Sequence, residues 1–295
     1  MKANFTTKES SLSGYKAMLC SLFTSALFFV LTSHAFSFPS SPHPPHRIVS
    51  LVPAMTEELY LLGAGDKIVG VTVYCQRPPE AQAKEKVGTV IDANIEKIIE
   101  LRPDLVIASP LADHKQIRKL RNLDIEVKIF TEAGDFHGLC TNFVTLSRLL
   151  GKEQKAEEIV EKAKTELQAI KNAIAGFAKS RVFVQIGANP LFTAKGDSFI
   201  NDLIECAGGI NIGSDAKTGI YSREEVIKRN PDIILIVTMG IVGEKEKDVW
   251  LRYKTIGAVK NSRIFTVDSY RVCSPTPASF VETVKELVRI FHAKQ

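Results

Sequence analysis

Apolar positions along this chain follow two alternating periods. Short β-branched runs at Ile48–Val52, Ile68–Val73, Leu105–Ala108 and Val127–Phe130 are each bounded by Pro, Gly or Asp, which is the pattern of buried strands. Between them, Thr56–Leu62 and Ile95–Leu101 place apolar residues at three- and four-residue steps and predict helices. Strand and helix in alternation imply parallel strands joined by helical crossovers. The pattern changes at Lys152. From there to Ala175 there is neither Pro nor Gly, and Ala156, Ile159, Val160, Ala163, Leu167, Ile170 and Ile174 form one apolar stripe on an otherwise charged segment. That spacing predicts an amphipathic helix of roughly six turns, closed by Gly176. Strand-like runs resume at Val182–Ile186, Ile233–Val237 and Ile264–Val267. The expected fold is α/β, with two lobes over residues 47–150 and 177–295. Each lobe holds a central, mostly parallel β-sheet flanked by helices, and a single long backbone helix over 151–176 joins them.

An internal echo supports two related lobes. The run from Ile95 through Glu96, Arg102, Pro103 and Asp104 to Val106 is matched by the run from Arg223 through Glu224, Asn230, Pro231 and Asp232 to Ile234. Each reads as a helix opening on Glu, a Pro-Asp turn and a buried strand, because Pro cannot continue the helical ladder. Carboxylates favour helix N-termini through the dipole, and Ser222 with Glu225 resembles a capping box. Spacing alone leaves Glu96 and Glu224 equally open to a capping role and to a docking role.

The first residues carry a different signal. Lys2, Lys8 and Lys16 precede an apolar run from Ala17 to Leu31, followed by Ser33-His34-Ala35. A basic flank, an apolar stretch and a small-residue exit define a secretory signal over residues 1–35, cleaved near Ala35. The run is short and diluted by Ser21, Thr24 and Ser25, so cleavage is expected rather than retention as an anchor. Leu19 before Cys20 argues against a lipid anchor. Residues 36–46, rich in Pro, then read as an irregular leader. Export places the protein in the periplasm, with no direct membrane insertion after cleavage. There, Cys75, Cys140, Cys206 and Cys273 are free to pair in three ways or not at all.

Composition narrows the function. The chain has 295 residues, 45% hydrophobic and 24% charged, so disorder and a polytopic membrane protein are excluded. The formal charge of +5 is spread along the sequence and forms no basic stripe, so no nucleic-acid partner is expected. There is no phosphate-cradling G-x-x-x-x-G-K-[ST] and no G-x-S-x-G elbow. Gly63, Gly65 and Gly70 follow a helix and lead into a strand, the reverse of a dinucleotide fingerprint. No H-x-x-x-H pair or C-x-x-C is present, so neither a resident metal site nor an intrinsic cofactor is expected. With no coupled acid–base or nucleophile pair, there are no catalytic candidates. What remains is a set of loops after strands. Tyr74, Cys75 and Arg77 follow the second strand, Asn189 and Phe192 follow Val182–Ile186, and Asp268, Tyr270, Arg271 and Cys273 follow the last. Ligands of parallel α/β sheets bind beyond the carboxyl ends of strands, which would bring these loops to an inter-lobe cleft. Cys75 and Cys273 are open to pairing across the lobes, to ligating a ligand's metal, or to simple packing.

The run Arg47-Ile48-Val49-Ser50-Leu51-Val52-Pro53-Ala54-Met55-Thr56-Glu57 is followed by Ile68 to Cys75, Pro78-Pro79-Glu80, Val87-Gly88 and Asn94 to Val106. In the second lobe come Phe183 to Pro190, Ala207-Gly208-Gly209-Ile210-Asn211 and Tyr221-Ser222-Arg223-Glu224. Together these resemble the periplasmic cobalamin and ferric-siderophore binding proteins of ABC importers, over essentially all of residues 46–292. The resemblance implies a class III substrate-binding protein, not an enzyme, with two lobes bridged by one rigid helix. Such a protein, expected as a monomer, captures a cobalt- or iron-containing chelate in the cleft and delivers it to an ABC permease and its ATPase. By similarity, Glu96 and Glu224 are the carboxylates that dock on the permease. Tyr74 and Asp268 stand where the cobalamin proteins carry Tyr and Asp, and Tyr221 joins the expected ligand-binding set. The Trp residues those proteins place around the cleft align with Val90 and about Thr218, and the only Trp here is Trp250. Cobalamin or another corrinoid and a ferric siderophore are the expected cargoes. Haem, a free metal ion or an oxyanion on the same fold, and an exported α/β enzyme, are the alternatives.

Overall fold

The computed structural model of the chain describes residues 44–238 and 243–293. The signal segment, Cys20 and the leader up to residue 43 lie outside the described residues. The first sheet is built from β1 (Ile48–Ser50), β2 (Ile68–Val71), β3 (Leu105–Ala108) and β4 (Glu126–Ile129). Its helices are α1 (Pro53–Leu61), α2 (Ile95–Glu100), α3 (His114–Arg121) and α4 (Phe136–Leu150), and α5 (Glu153–Ile174) leads out of it. The second half comprises β5 (Ser180–Ala188), β6 (Leu191–Thr193), α6 (Phe199–Cys206), β7 (Gly209–Asn211), α7 (Arg223–Arg229), β8 (Ile233–Thr238) and α8 (Gly243–Trp250). It ends with α9 (Gly257–Lys260), β9 (Ile264–Asp268), α10 (Ser269–Cys273) and α11 (Pro277–His292).

The first sheet is parallel throughout, in the order β2-β1-β3-β4. The second runs β6-β5-β8-β9, with β7 also paired to β5. There β6 folds back antiparallel to β5 through a hairpin at Asn189-Pro190. Strand side chains alternate between two apolar layers. Ile48, Leu105 and Ile107 face one core, and Val49, Val106 and Ala108 the other. In the second sheet Val182, Val184, Ile233 and Leu235 face the same inner core, while Phe183, Ile234 and Ile236 face outward to a layer with Trp250. Burial on both faces explains why the strands read as unbroken hydrophobic runs.

The inner core is continuous across the two halves. It contains Leu59 of α1, Phe143 and Leu146 of α4, Ala156, Val160, Ala163 and Leu167 of α5, Leu203 of α6, and Phe280 and Val284 of α11. The long helix expected over 151–176 is therefore α5, and its apolar stripe is its buried face. It does not join the lobes alone. Helix α4 precedes it, capped by Asp135 Oδ1 accepting from the Gly138 N–H at 2.7 Å, and turned at Gly151, whose φ of 62° suits Gly. Phe136 of α4 stacks on Phe280 of α11 with ring centroids 5.0 Å apart, and the Phe136 N–H donates to Asp202 Oδ2 of α6 at 2.8 Å. Lys285 of α11 pairs with Glu166 of α5 at 2.6 Å.

The sequence echo is a structural repeat with a mechanism. Helices α2 and α7 end on Arg102 and Asn230, both with positive φ (47° and 48°), ahead of Pro103 and Pro231. The following aspartates then tie down the preceding strand. Asp104 accepts from the His46 and Arg47 N–H groups at 2.7 and 3.0 Å, and Asp232 from the Arg181 N–H at 2.8 Å. The arginines reciprocate, Arg47 donating to Leu101 O at 2.7 Å and Arg181 to Arg229 O at 2.8 Å.

Phe280 joins both halves and is fully buried. Phe280→Ala should lower the unfolding free energy by about 3–5 kcal/mol, read by urea denaturation. If instead the halves were independently stable, two transitions would appear and only one would shift.

Candidate functional site

A cleft of about 530 Å³ opens between the two sheets, at the carboxyl ends of the strands. One wall comes from the first lobe: Val52 to Met55 after β1, Tyr74 after β2, Ser109 to Leu111 after β3, and Phe130 to Ala133 after β4. The opposite wall is α10 and the turn beyond it, with Ser269, Tyr270, Cys273, Ser274 and Pro275. Glu58, Leu139 and Phe199 form the floor, all nearly inaccessible, and Asn142 stands beside them. The rim is apolar and open: Tyr74 is 52% and Leu111 68% exposed.

The two walls are already fastened together. Arg77 reaches across from the first lobe, its Nη2 donating to Tyr270 O at 2.7 Å and Ser274 O at 3.3 Å. The same guanidinium pairs with Glu57 at 3.3 Å and lies over the Tyr270 ring, 5.1 Å from its centroid. Tyr270 returns the contact, its hydroxyl donating to the Tyr74 carbonyl. Helix α10 is itself set by Asp268, whose Oδ1 accepts from the Tyr270 N–H at 2.9 Å.

The electrostatics of the lining are one-sided. It carries the carboxyls of Glu58 and Glu132 and, among the described residues, no Lys, Arg or His. Its remaining polar groups are neutral: the Asn142 amide and the hydroxyls of Thr131, Ser109, Ser269, Ser274, Tyr74 and Tyr270. Glu58 is 1% exposed, and its Oε2 has no hydrogen-bond partner among the described residues. Burial, reinforced by the neighbouring Glu57 carboxylate, holds the Glu58 proton on well above the ordinary carboxyl range. Burial likewise pushes the Cys273 thiol up to about 11.

Of the residues expected at the cleft, Tyr74, Tyr270 and Cys273 line it. Cys75 sits one layer beneath, fully buried, its sulfur 3.2 Å from the hydroxyls of both Thr56 and Thr72. Cys75, Cys140, Cys206 and Cys273 are free thiols, so the pairing left open by the sequence is not made. Arg77 and Asp268 brace the wall from behind. Arg271 turns away to pair with Glu286 of α11. Asn189 and Phe192 lie on the β5–β6 hairpin, apart from the lining residues. Tyr221 packs on Phe183, with ring centroids 5.8 Å apart, and donates to Ile212 O at 3.2 Å. Its hydroxyl is pushed up to about 12, mainly by burial. Val90 lines the cleft and Thr218 does not. Glu58, Leu111, Phe130, Glu132, Asn142 and Phe199 were not expected there. Leu111 follows a strand end, a signal that sequence does offer; Glu58 and Asn142 lie inside helices and give none.

Glu96 and Glu224 each occupy the second position of a short helix, α2 and α7, and both are exposed. Glu96 pairs with Lys119 at 2.9 Å, and hydrogen bonding to that lysine lowers its pKa. Glu224 has no ion pair or hydrogen bond to its side chain among the described residues.

Comparison with known proteins gives a consistent result. The family model described as periplasmic binding protein matches residues 48–270. An uncharacterized ABC transporter substrate-binding lipoprotein, YvrC, of Bacillus subtilis (strain 168) is 33% identical over 253 residues, covering 82% of this chain and 79% of that protein. The vitamin B12-binding protein of Salmonella choleraesuis (strain SC-B67) is 32% identical over 221 residues, covering 74% of this chain and 81% of that protein. Among solved structures, the periplasmic vitamin B12 binding protein BtuF of Vibrio cholerae superposes with a TM-score of 0.72 at 27% identity, covering 84% of this chain and 97% of that one.

Two outcomes follow from the geometry. The native state keeps a proton on Glu58 that the unfolded chain gives up above its ordinary value of 4.5. An acid raised in this way costs stability as pH rises through the unfolded value. Glu58→Gln should therefore gain thermal stability over the parent, by more at pH 8 than at pH 4; an equal difference at both pH values contradicts this. Arg77→Ala should speed hydrogen exchange of the α10 amides by about tenfold or more, whereas unchanged exchange would mean that other contacts hold the wall.

Proposed function

The chain belongs to the periplasmic binding protein family of ABC importers, and on that premise we propose that its inter-lobe cleft captures a corrinoid and delivers it to a membrane permease. The observation that carries this reading is the charge of the lining. Ferric siderophores with catecholate or carboxylate groups are anionic, and haem carries two propionates. Each needs basic side chains to offset desolvation of its charge. Here the described lining residues supply two carboxyls and none of the bases. Cobalamin instead presents uncharged carboxamides around a large, flat ring. Carboxamides suit the Asn142 amide and the hydroxyls of Thr131, Ser109, Ser269 and Ser274, and the ring suits the exposed faces of Tyr74 and Leu111 with Val90 and Pro110. The names of the Salmonella and Vibrio relatives support the same ligand.

The rest of the reading follows from the family and the leader. Residues 1–35 direct export and are removed, and the mature protein acts outside the cytoplasmic membrane as a monomer. Glu96 and Glu224, at matching places in the two halves, are the carboxylates offered to the permease. The ligand's metal travels as cargo, so the protein has no cofactor and no catalytic step of its own.

Thermal unfolding and equilibrium dialysis with cyanocobalamin, haemin and ferric hydroxamate and catecholate siderophores test this directly. A ligand at about a hundred times its Kd adds ~2.7 kcal/mol of stability. Cyanocobalamin alone should raise Tm, its affinity should vary little with salt because no charge pair is formed, and Tyr74→Ala should weaken it about tenfold. Stabilisation by haemin or a siderophore with no response to cyanocobalamin would replace the corrinoid reading.

A further inference from the structure

The floor of the cleft holds a group that no structural role accounts for. Glu58 faces inward from α1, with Met55 and Leu59 on the same buried face and Leu139 and Phe199 also on the floor. It is 1% exposed, it borders the cavity, and its Oε2 has no partner among the described residues. Arg77, which reaches the neighbouring Glu57, is committed elsewhere: it holds Glu57 and the carbonyls of Tyr270 and Ser274. Buried polar groups are nearly always paired, so an orphan at the bottom of a binding cavity points to a partner that arrives with the ligand.

We propose that Glu58 is a specificity-determining contact, its carboxyl hydroxyl donating a hydrogen bond to a carboxamide oxygen on the edge of the corrinoid that enters the cleft deepest. This rests on the corrinoid reading above. Three features support the donor role. Burial and the Glu57 carboxylate raise the Glu58 pKa well above its ordinary value and so favour the protonated form, and a protonated carboxyl is a donor where an ionised one can only accept. Apart from the Glu132 carboxyl, the other polar groups of the lining, Asn142 and the wall hydroxyls, are neutral, so an uncharged acceptor brings no new unpaired charge into the cleft. An analogue without the acceptor would leave the Glu58 hydroxyl buried and unmatched, which is how polar sites reject near-isosteres most strongly.

Equilibrium dialysis of the parent protein, Glu58→Gln and Glu58→Leu against cyanocobalamin separates this role from a structural one. Glu58→Leu should bind about tenfold more weakly, equivalent to ~1.4 kcal/mol, while melting at a higher temperature than the parent. Glu58→Gln, which keeps an N–H donor, should stay within about threefold. An unchanged Kd in Glu58→Leu overturns the proposal and leaves the corrinoid reading standing. A parent protein that does not bind cyanocobalamin overturns both. Should Glu58→Leu fail to fold, difference infrared spectroscopy gives the answer on the parent. A protonated carboxyl band that Glu58→Gln removes should shift when cyanocobalamin is added, and a band that does not move overturns the proposal.

Discussion

The apolar layer shared by both sheets is the constraint on which the rest of the molecule depends. Ile48, Leu105 and Ile107 from one sheet, and Val182, Ile233 and Leu235 from the other, close on the same cluster as α1, α4, α5, α6 and α11. Separating the halves would expose that layer to water at roughly 25 cal/mol for each Å² of apolar surface. The Phe136–Phe280 stack and the Asp202 cap on α4 add contacts that tolerate little sliding. The cleft stands on this layer, with its walls fixed by strand ends below and by Arg77 and Tyr270 across the gap. A site built in this way gains affinity from walls already in place rather than from closure around the ligand.

On so fixed a frame, selectivity falls to the side chains that line the walls. The described lining has no base to attract an anionic chelate, and its polar groups other than Glu58 and Glu132 are neutral donors and acceptors. Arg77, which spans the two walls, is taken up in holding the lobes. Glu58 extends the same logic to the floor, where burial favours the uncharged form of a carboxyl. Keeping that group unpaired costs stability, a cost repeatedly seen where a site serves binding rather than folding.

Much of the fold was legible because its chemistry is local. Strands buried on both faces show as apolar runs, and α5 shows as a stripe because its other face meets solvent. The Pro-Asp echo was visible as letters, and the structure supplies its reason in Asp104 and Asp232 tying down strand starts. Helix α4 buries one stripe, Phe136, Leu139, Cys140, Phe143, Leu146, Ser147 and Leu150, and was harder to read than α5 because Gly, Thr, Asn and Val rather than a run of charges fill its other face. β6 was hidden because three residues are too few for a period, and its hairpin read as a cleft-facing loop after a strand. The cleft was legible only as a place. Loops after strands were the right ones to inspect, and Tyr74, Tyr270 and Cys273 are there. Which atoms of a loop face the ligand is set by partners distant in sequence. Asp268 is taken by the α10 N–H of Tyr270, Arg271 by Glu286, and Cys75 by Thr56 and Thr72.

A cleft standing ready on one shared core holds the two halves at a fixed separation, and inter-lobe distance is the quantity to measure. Spin labels at exposed Lys115 of α3 and Lys228 of α7, compared by double electron–electron resonance with and without saturating cyanocobalamin, report the separation of the halves. The same distance distribution is expected in both states. A shift of the mean well beyond about 2 Å, the scale at which rearrangement on binding becomes substantial, would mean that the halves close around the ligand and that the shared core does not fix the cleft.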